Sequence, residues 1–344
     1  MALESKFENR RVTLNRRPKG EPKQEDFKIV IGEAPQPGVG QVLLRTVFLS
    51  LDPYMRSKMN AAKSYTKSLE IGEVMFGETV SKVVISNHPN FKVHDYVISY
   101  SGWQDYAVMD AAQIRKIDPS IAPLSTNLGV LGMPGRTAYA GLLDIGRPVA
   151  GETLVVAAAT GPVGSAVGQI AKMKSCRVVG VAGGEKKCRT LIDYFGFDAA
   201  VDHYSPDFAN QLKAACPKGI DIYFENVGGV IFQTVVPLLN DFARIPVCGL
   251  VSQYNSKNLT NGPAQMAQFL STLLTRRLFM KGFISGDYRS KFPEFSTEMN
   301  QWIKEGRVKY LEDIVDGLEN APEAMNRLFH GKNFGKLIIK VSDI

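Results

Sequence analysis

The chain has 344 residues, a length that suggests two domains rather than one. With 44% hydrophobic and 22% charged residues it has an ordinary globular composition, which excludes disordered and fibrous classes. Forty-one Lys+Arg against 34 Asp+Glu leave a net charge of +7, but the charge is spread along the chain, so a solvated surface explains it better than a nucleic-acid partner.

The N-terminal MALESKFENRR has no apolar stretch of signal-peptide length. The densest basic cluster follows at Arg10, Arg11, Arg16 and Arg17, flanked by Glu4, Glu8, Glu21, Glu25 and Asp26, which weakens it as a polyanion-binding arm. Residues 28–125 lack long helical periodicity. Short β-rich runs (Gln41–Leu49, Thr79–Ser86, Asp95–Tyr100) are punctuated by Gly, Pro and Asn, the pattern of a small, mostly antiparallel β domain.

From about Gly151 strand-like runs alternate with helix-length segments. Strands are predicted at 154–159, 176–183, 199–203, 220–227, 244–251 and 278–284, and helices near 163–174, 185–195, 207–215, 229–239 and 263–275. Regular alternation argues for a parallel sheet covered on both faces, and the continuous apolar character of the strands fits burial on both sides. The uncharged run Thr153–Ala171 is broken by Gly161, Pro162, Gly164 and Gly168, so it reads as strand, turn and helix rather than a membrane span. Helices near 292–305 and 321–330 and a strand at 336–341 complete the chain.

The turn LVVAAATGPVGSAVG places Ala159, Gly161, Gly164 and Gly168 at a strand-to-helix junction. Gly161 permits a tight turn, Gly164 lets the helix pack closely on its strand, and the helix N-terminus offers free N–H groups to a pyrophosphate. Ala159 replaces the first glycine of the GxGxxG pattern, so the match rests on its place inside a repeating βα unit. About 20 residues further on, where an NAD site needs a carboxylate for the ribose, the chain reads Ala182-Gly183-Gly184-Glu185-Lys186-Lys187-Cys188-Arg189. Two glycines followed by basic residues suit the 2′-phosphate of NADP(H), although a solvated helix face would look the same. The cysteines, Cys176, Cys188, Cys216 and Cys248, show neither zinc spacing nor a disulfide pattern, which implies no metal site and a reducing, cytoplasmic setting.

Six segments in order carry a resemblance to a known family: Leu51-Asp52-Pro53-Tyr54-Met55-Arg56; Gly132-Met133-Pro134-Gly135 with Thr137-Ala138-Tyr139; Ala159-Thr160-Gly161-Pro162-Val163-Gly164-Ser165; Asn226-Val227-Gly228-Gly229; Arg244 to Gly249 with Ser252-Gln253-Tyr254-Asn255; and Gly331 to Lys336. The chain resembles the medium-chain dehydrogenase/reductase superfamily, and within it the zinc-independent double-bond reductases. The resemblance implies an α/β fold, a GroES-like β-barrel domain (1–128 and 307–344) split around a Rossmann-type doubly wound domain (129–306). It also implies NADPH as cofactor, held by Thr160, Gly161, Pro162, Val163 and Gly164 at the pyrophosphate and by Gly184 and Lys187 at the 2′-phosphate. Asn226, Cys248, Gly249, Ser252, Tyr254, Phe283, Ile284, Ser285 and Asn333 match further cofactor contacts. Either His203 or Tyr204 meets the 2′-phosphate, since the family often has tyrosine where His203 stands. Glu225 stands where Asp is usual, and Arg136 adds a charge where an apolar residue is common.

The implied reaction is hydride transfer to the β-carbon of an α,β-unsaturated ketone or aldehyde. Tyr254 is expected to stabilise the enolate oxygen, and Tyr54 to orient the substrate or relay a proton. Loops such as 60–70 and 254–266 are expected to shape the pocket, and the 263–284 region resembles the family's dimer-forming segment, implying a homodimer. Two alternatives stay open: an NADPH quinone oxidoreductase, and a nucleotide- or RNA-binding protein with vestigial catalysis.

Overall fold

The computed structural model describes residues 7–61, 67–256 and 263–344. Glu4, and residues 62–66 and 257–262 of the two expected pocket loops, lie outside the described residues. The chain forms two compact units, one of residues up to Leu128 with Glu312–Asn333 and Leu337–Ile344, the other of Gly129–Leu311 with Phe334–Lys336.

In the first unit β1 (Glu8–Leu14) pairs antiparallel with β2 (Phe27–Glu33). The β1 strand is missing from the sequence reading because Arg10 and Arg11 mask its pattern. Val12 and Leu14 nonetheless point into the core, while Arg10 donates to Asp105 at 2.9 Å. A seven-stranded sheet is built on β3 (Gln41–Ser50), β4 (Thr79–Ser86), β5 (Tyr96–Ser99), β6 (Tyr106–Asp110) and β7 (Arg115–Ile117), joined by the late strands Glu312–Asp316 and Lys336–Lys340. The pairings of β3 with β4, with β6 and with Lys336–Lys340 are antiparallel. Leu49, Leu51, Met55, Met75 and Trp103 form its core with Leu318 and Met325 of the returning segment.

The second unit carries a six-stranded parallel sheet: β8 (Thr153–Ala157), β9 (Arg177–Ala182), β10 (Ala199–Asp202), β11 (Ile220–Phe224), β12 (Leu239–Val247) and β13 (Phe279–Gly282), in the order β10-β9-β8-β11-β12-β13. All its pairings are parallel. The helices α2 (Met133–Ala140), α3 (Pro162–Met173), α4 (Glu185–Asp193), α5 (Phe208–Ala215), α6 (Gly229–Val235), α7 (Pro263–Thr275) and α8 (Phe292–Lys304) belong to this unit, α1 being the short turn Met55–Lys58 of the first. Every residue of β8 is buried, which is why that strand reads as a continuous apolar run.

Four expectations are corrected. The helix predicted to 239 stops at Val235, because Pro237 cannot donate the next hydrogen bond and a short 3-10 turn follows. The fifth strand begins at Leu239 rather than 244: Ile220 pairs with Leu239 and Ile222 with Arg244, so β12 bulges, with Phe242 at φ 61°. β13 is not buried on both sides but is an edge strand, with Phe279 40% and Met280 39% exposed. The return to the first unit falls at 312 instead of 307, because Gln169 on α3 donates to the Lys309 carbonyl (2.9 Å) and accepts from its amide (2.7 Å). Among the described residues no helix is long and apolar enough to cross a membrane.

The seating of α3 on the sheet depends on a missing side chain. A Cβ at Gly168 would fall 1.9 Å from the ring of buried Phe197. Gly168→Ala is therefore expected to cost about 1–3 kcal/mol of stability, read as a lower urea midpoint at unchanged m, and Gly168→Ala/Phe197→Leu to recover part of the loss. An unshifted midpoint in the single variant would show that Phe197 does not set the packing.

Candidate active site

In a doubly wound sheet, ligands bind beyond the carboxyl ends of the strands, at the point where strand order reverses. Here that point lies between β8 and β11. The sequence-predicted residues of the second unit follow those ends in turn: Thr160 to Gly164 after β8, Gly184 and Lys187 after β9, His203 and Tyr204 after β10, Asn226 after β11, Cys248 to Tyr254 after β12, and Phe283 to Ser285 after β13. The Asn226 amide donates to the Ala157 carbonyl at 2.8 Å, tying the two strands at the reversal.

At β8 the chain turns through Ala158, whose φ of 51° is the left-handed conformation, and Gly161 caps α3 with Pro162 as its first residue. A Cβ at Gly164 would meet the Ala158 carbonyl oxygen at 2.5 Å, so the helix start can approach the turn only with glycine there. The first-turn amides of α3, those of Val163 and Gly164 among them, point out of the helix end, a ready anion site.

Beyond β9 the backbone at Gly184 has φ 86° with nothing within 4 Å of a would-be Cβ, leaving the space open. At Gly183 a Cβ would strike the Tyr204 ring at 2.5 Å and the His203 ring nitrogen at 3.1 Å. His203 and Tyr204 pack ring to ring at 4.2 Å against that gap. Asp202 positions them, its carboxylate accepting from the amides of Gly184 and Tyr204, both at 2.9 Å. Burial lowers the His203 pKa, with Asp202 opposing and the charge of Lys187 adding, so the imidazole is neutral at pH 7. The three basic residues part company. Arg189 pairs with Glu185, Lys186 lies over the Phe334 ring at 5.1 Å, and Lys187 carries its charge next to His203.

Glu225 is wholly buried at the end of β11, and sequence reading gave it no role beyond a departure from Asp. Its carboxylate accepts from the amides of Val227 (2.6 Å) and Gly228 (2.8 Å), while its carbonyl accepts from those of Cys248 (2.9 Å) and Gly249 (3.2 Å). One residue thus fastens both adjoining loops. Ser252 is tied to the Val227 carbonyl by its hydroxyl at 2.6 Å. The Tyr254 hydroxyl accepts from the Leu250 amide at 3.4 Å, and burial raises its pKa. Phe283 is buried edge-on against Phe224, Ile284 is part exposed, and the Ser285 hydroxyl accepts from Arg136. Tyr54 and Asn333 belong to the first unit, where Tyr54 opens α1 and lies edge-on to Phe76.

With this geometry in place the comparisons are informative. A family model described as the N-terminal domain of oxidoreductase matches residues 10–117, and one described as zinc-binding dehydrogenase matches 162–303. The chain is 55% identical to an NADPH-dependent curcumin reductase of Escherichia coli strain K12, over 98% of this chain and 99% of that protein. The chain belongs to the zinc-independent medium-chain dehydrogenases/reductases. A 2-alkenal reductase (NADP(+)-dependent) of Nicotiana tabacum is 41% identical over 97% of this chain and 98% of its own length. The crystal structure of CurA from Vibrio vulnificus in complex with NADPH aligns at a TM-score of 0.94 and 52% identity, covering 97% of this chain and 100% of that one. The fold is therefore that of this superfamily, a Rossmann-type parallel sheet with a GroES-like β unit.

Zinc, which one family description mentions, does not fit this chain. Among the described residues no group of three or more His, Cys, Asp or Glu is placed to hold a metal. Burial pushes the thiols of Cys176 and Cys216 up to about 11 and that of Cys248 to about 12.

Proposed function

We propose that this protein is an NADPH-dependent reductase of the carbon–carbon double bond in α,β-unsaturated ketones and aldehydes. The observation that carries this reading is end-to-end similarity to relatives named for NADPH-dependent reduction of curcumin and of 2-alkenals. The nucleotide site fits the cofactor. Thr160 to Gly164 would hold the pyrophosphate on the α3 amides. Gly184, Lys187 and the His203–Tyr204 pair would hold the 2′-phosphate, and Asn226, Cys248, Gly249, Ser252, Phe283, Ile284, Ser285 and Asn333 the remainder. When bound, NADPH supplies the hydride.

The substrate's carbonyl oxygen gains charge as an enolate, which a side-chain hydrogen-bond donor can meet. Tyr254 suits that role. Its oxygen accepts from Leu250, which leaves its own proton for another acceptor, and its pKa above the usual 10.0 keeps that proton in place at neutral pH. Tyr54 orients the substrate or relays the proton to the α-carbon. The quinone alternative gains no specific support from the fold. The RNA-binding alternative loses ground because Arg10 pairs with Asp105 and Glu319, Arg16 with Asp26, and Arg17 with Glu70.

A homodimer fits the open edge of the sheet. Phe279 and Met280 on β13 and Met266, Leu270 and Leu274 on α7 are exposed apolar residues, and edge pairing of two β13 strands would cover them. The four free thiols support a reducing, cytoplasmic setting.

Three measurements test these assignments. Lys187→Ala should weaken NADPH binding about 10- to 100-fold, the value of a charge-assisted phosphate contact, and leave NADH unchanged; equal losses on both would remove Lys187 from the 2′-phosphate. Tyr254→Phe should lower kcat on an enone about a hundredfold with NADPH affinity retained, and the Tyr254-dependent rate should stay flat up to the usual tyrosine value of 10.0. An unchanged kcat in single-turnover measurements rules out the donor role. Sedimentation velocity should give twice the 37.8 kDa chain mass, reduced to one chain by Met280→Arg; a monomeric native protein would refute the dimer.

A further inference from the structure

Arg136 stands out among the described arginines. Several end on carboxylates of their own unit, as Arg10 does on Asp105, Arg244 on Glu152 and Arg327 on Asp313. The Arg136 guanidinium donates its Nε–H to the Ser285 hydroxyl at 3.0 Å and lies 5.8 Å from the centre of the Phe292 ring. No carboxylate of the described residues pairs with it. Its two terminal nitrogens meet no protein acceptor among those residues, yet neither is sealed from solvent.

The position is electrostatically unfavourable for a cation. Arg136 lies in the first turn of α2, which contains no acidic residue, and there the helix dipole repels positive charge. That helix start is rigid: a Cβ at Gly135 would fall 1.9 Å from the Val130 carbonyl oxygen, so the turn is packed backbone to backbone. A half-buried, immobilised guanidinium with its outer fork unmatched is the arrangement expected where an anion completes the site.

Strand order says which anion. The cofactor's phosphates have their holders after β8 and β9, whereas Ser285 follows β13, at the opposite edge of the sheet, with β11 and β12 between. A planar fork at that end matches a carboxylate, which it can receive through two parallel hydrogen bonds. Resting on the reductase reading above, we propose that Arg136 is a substrate-specificity residue, oriented by Ser285, that binds the carboxylate of an acidic enone and gives the enzyme a preference for carboxylate-bearing substrates.

The test compares a straight-chain enone carrying a terminal carboxylate with its methyl ester, over several chain lengths, on the full-length protein, Arg136→Met and Arg136→Lys. The native enzyme should favour the acid about tenfold in kcat/KM at the best length, through KM. Arg136→Met should abolish that preference while leaving the ester and the NADPH affinity unchanged, and Arg136→Lys should keep part of it. The saturated keto acid, read as a Tm shift of the NADP+ complex, tests the same contact without turnover. Equal handling of acid and ester by the native protein at every length, or equal losses on both in Arg136→Met, overturns the proposal. If neither enone is reduced but the keto acid still binds through Arg136, the contact stands and the reductase reading falls.

Discussion

The ring of Phe197 sits where two side chains are missing, against Gly168 of α3 on one side and Gly180 of β9 on the other. A Cβ at Gly180 would lie 2.9 Å from that ring and 3.0 Å from the Ala159 side chain. The distance from α3 to the sheet, and hence the height at which its N-terminus meets the end of β8, is set by this one aromatic ring between backbones. Gly164 repeats the device one turn earlier against Ala158. A dinucleotide turn needs its amides close to the strand end, and close packing between glycines supplies that without any polar contact.

On the far side of the strand reversal the same task falls to a buried carboxyl group. Glu225 is wholly buried, which raises its pKa, and the backbone amides of Gly228 and Val227 counteract this by hydrogen bonding to its carboxyl group. Its carboxylate holds the loop after β11, and its carbonyl the loop after β12. Glycine packing therefore fixes one wall of the nucleotide site and a single buried acid the other, and the Asn226–Ala157 hydrogen bond joins the two.

How much of this was legible in the sequence follows from the range of each interaction. The alternation of strands with helices could be read because inner strands such as β8 and β9, buried on both faces, leave continuous apolar runs. So could the placement of the second unit's candidate residues after the ends of its strands. β1 could not, because its polar positions carry arginines whose partner Asp105 lies 95 residues away. The bulge that starts β12 at Leu239 depends on its register against β11, a tertiary feature with no local signature. The basic trio after Gly184 looked equivalent, yet Arg189 is taken by Glu185 within its own helix and Lys186 by Phe334, a partner far along the chain. Glu225 was noticed only as a substitution for Asp; its two-loop role needs the geometry of β12.

The net charge of +7 has a similar history. Its densest cluster, near the start of the chain, is largely matched by carboxylates, so the basic pI reports little about partners. What matters is where positive charge stands at strand ends. Lys187 lies beyond β9, where its charge adds to the burial that lowers the pKa of His203, and the N-terminus of α3 adds its dipole at β8. Arg136, on α2, is held by Ser285, which follows β13 at the other edge of the same sheet. An anionic cofactor and an anionic substrate can then be drawn to the same rim yet sorted by strand, the cofactor phosphates toward β8 and β9 and the substrate carboxylate toward β13. Specificity on this reading comes from the separation of two cations across the three strands that lie between β9 and β13, a property of topology that neither pI nor any single motif contains.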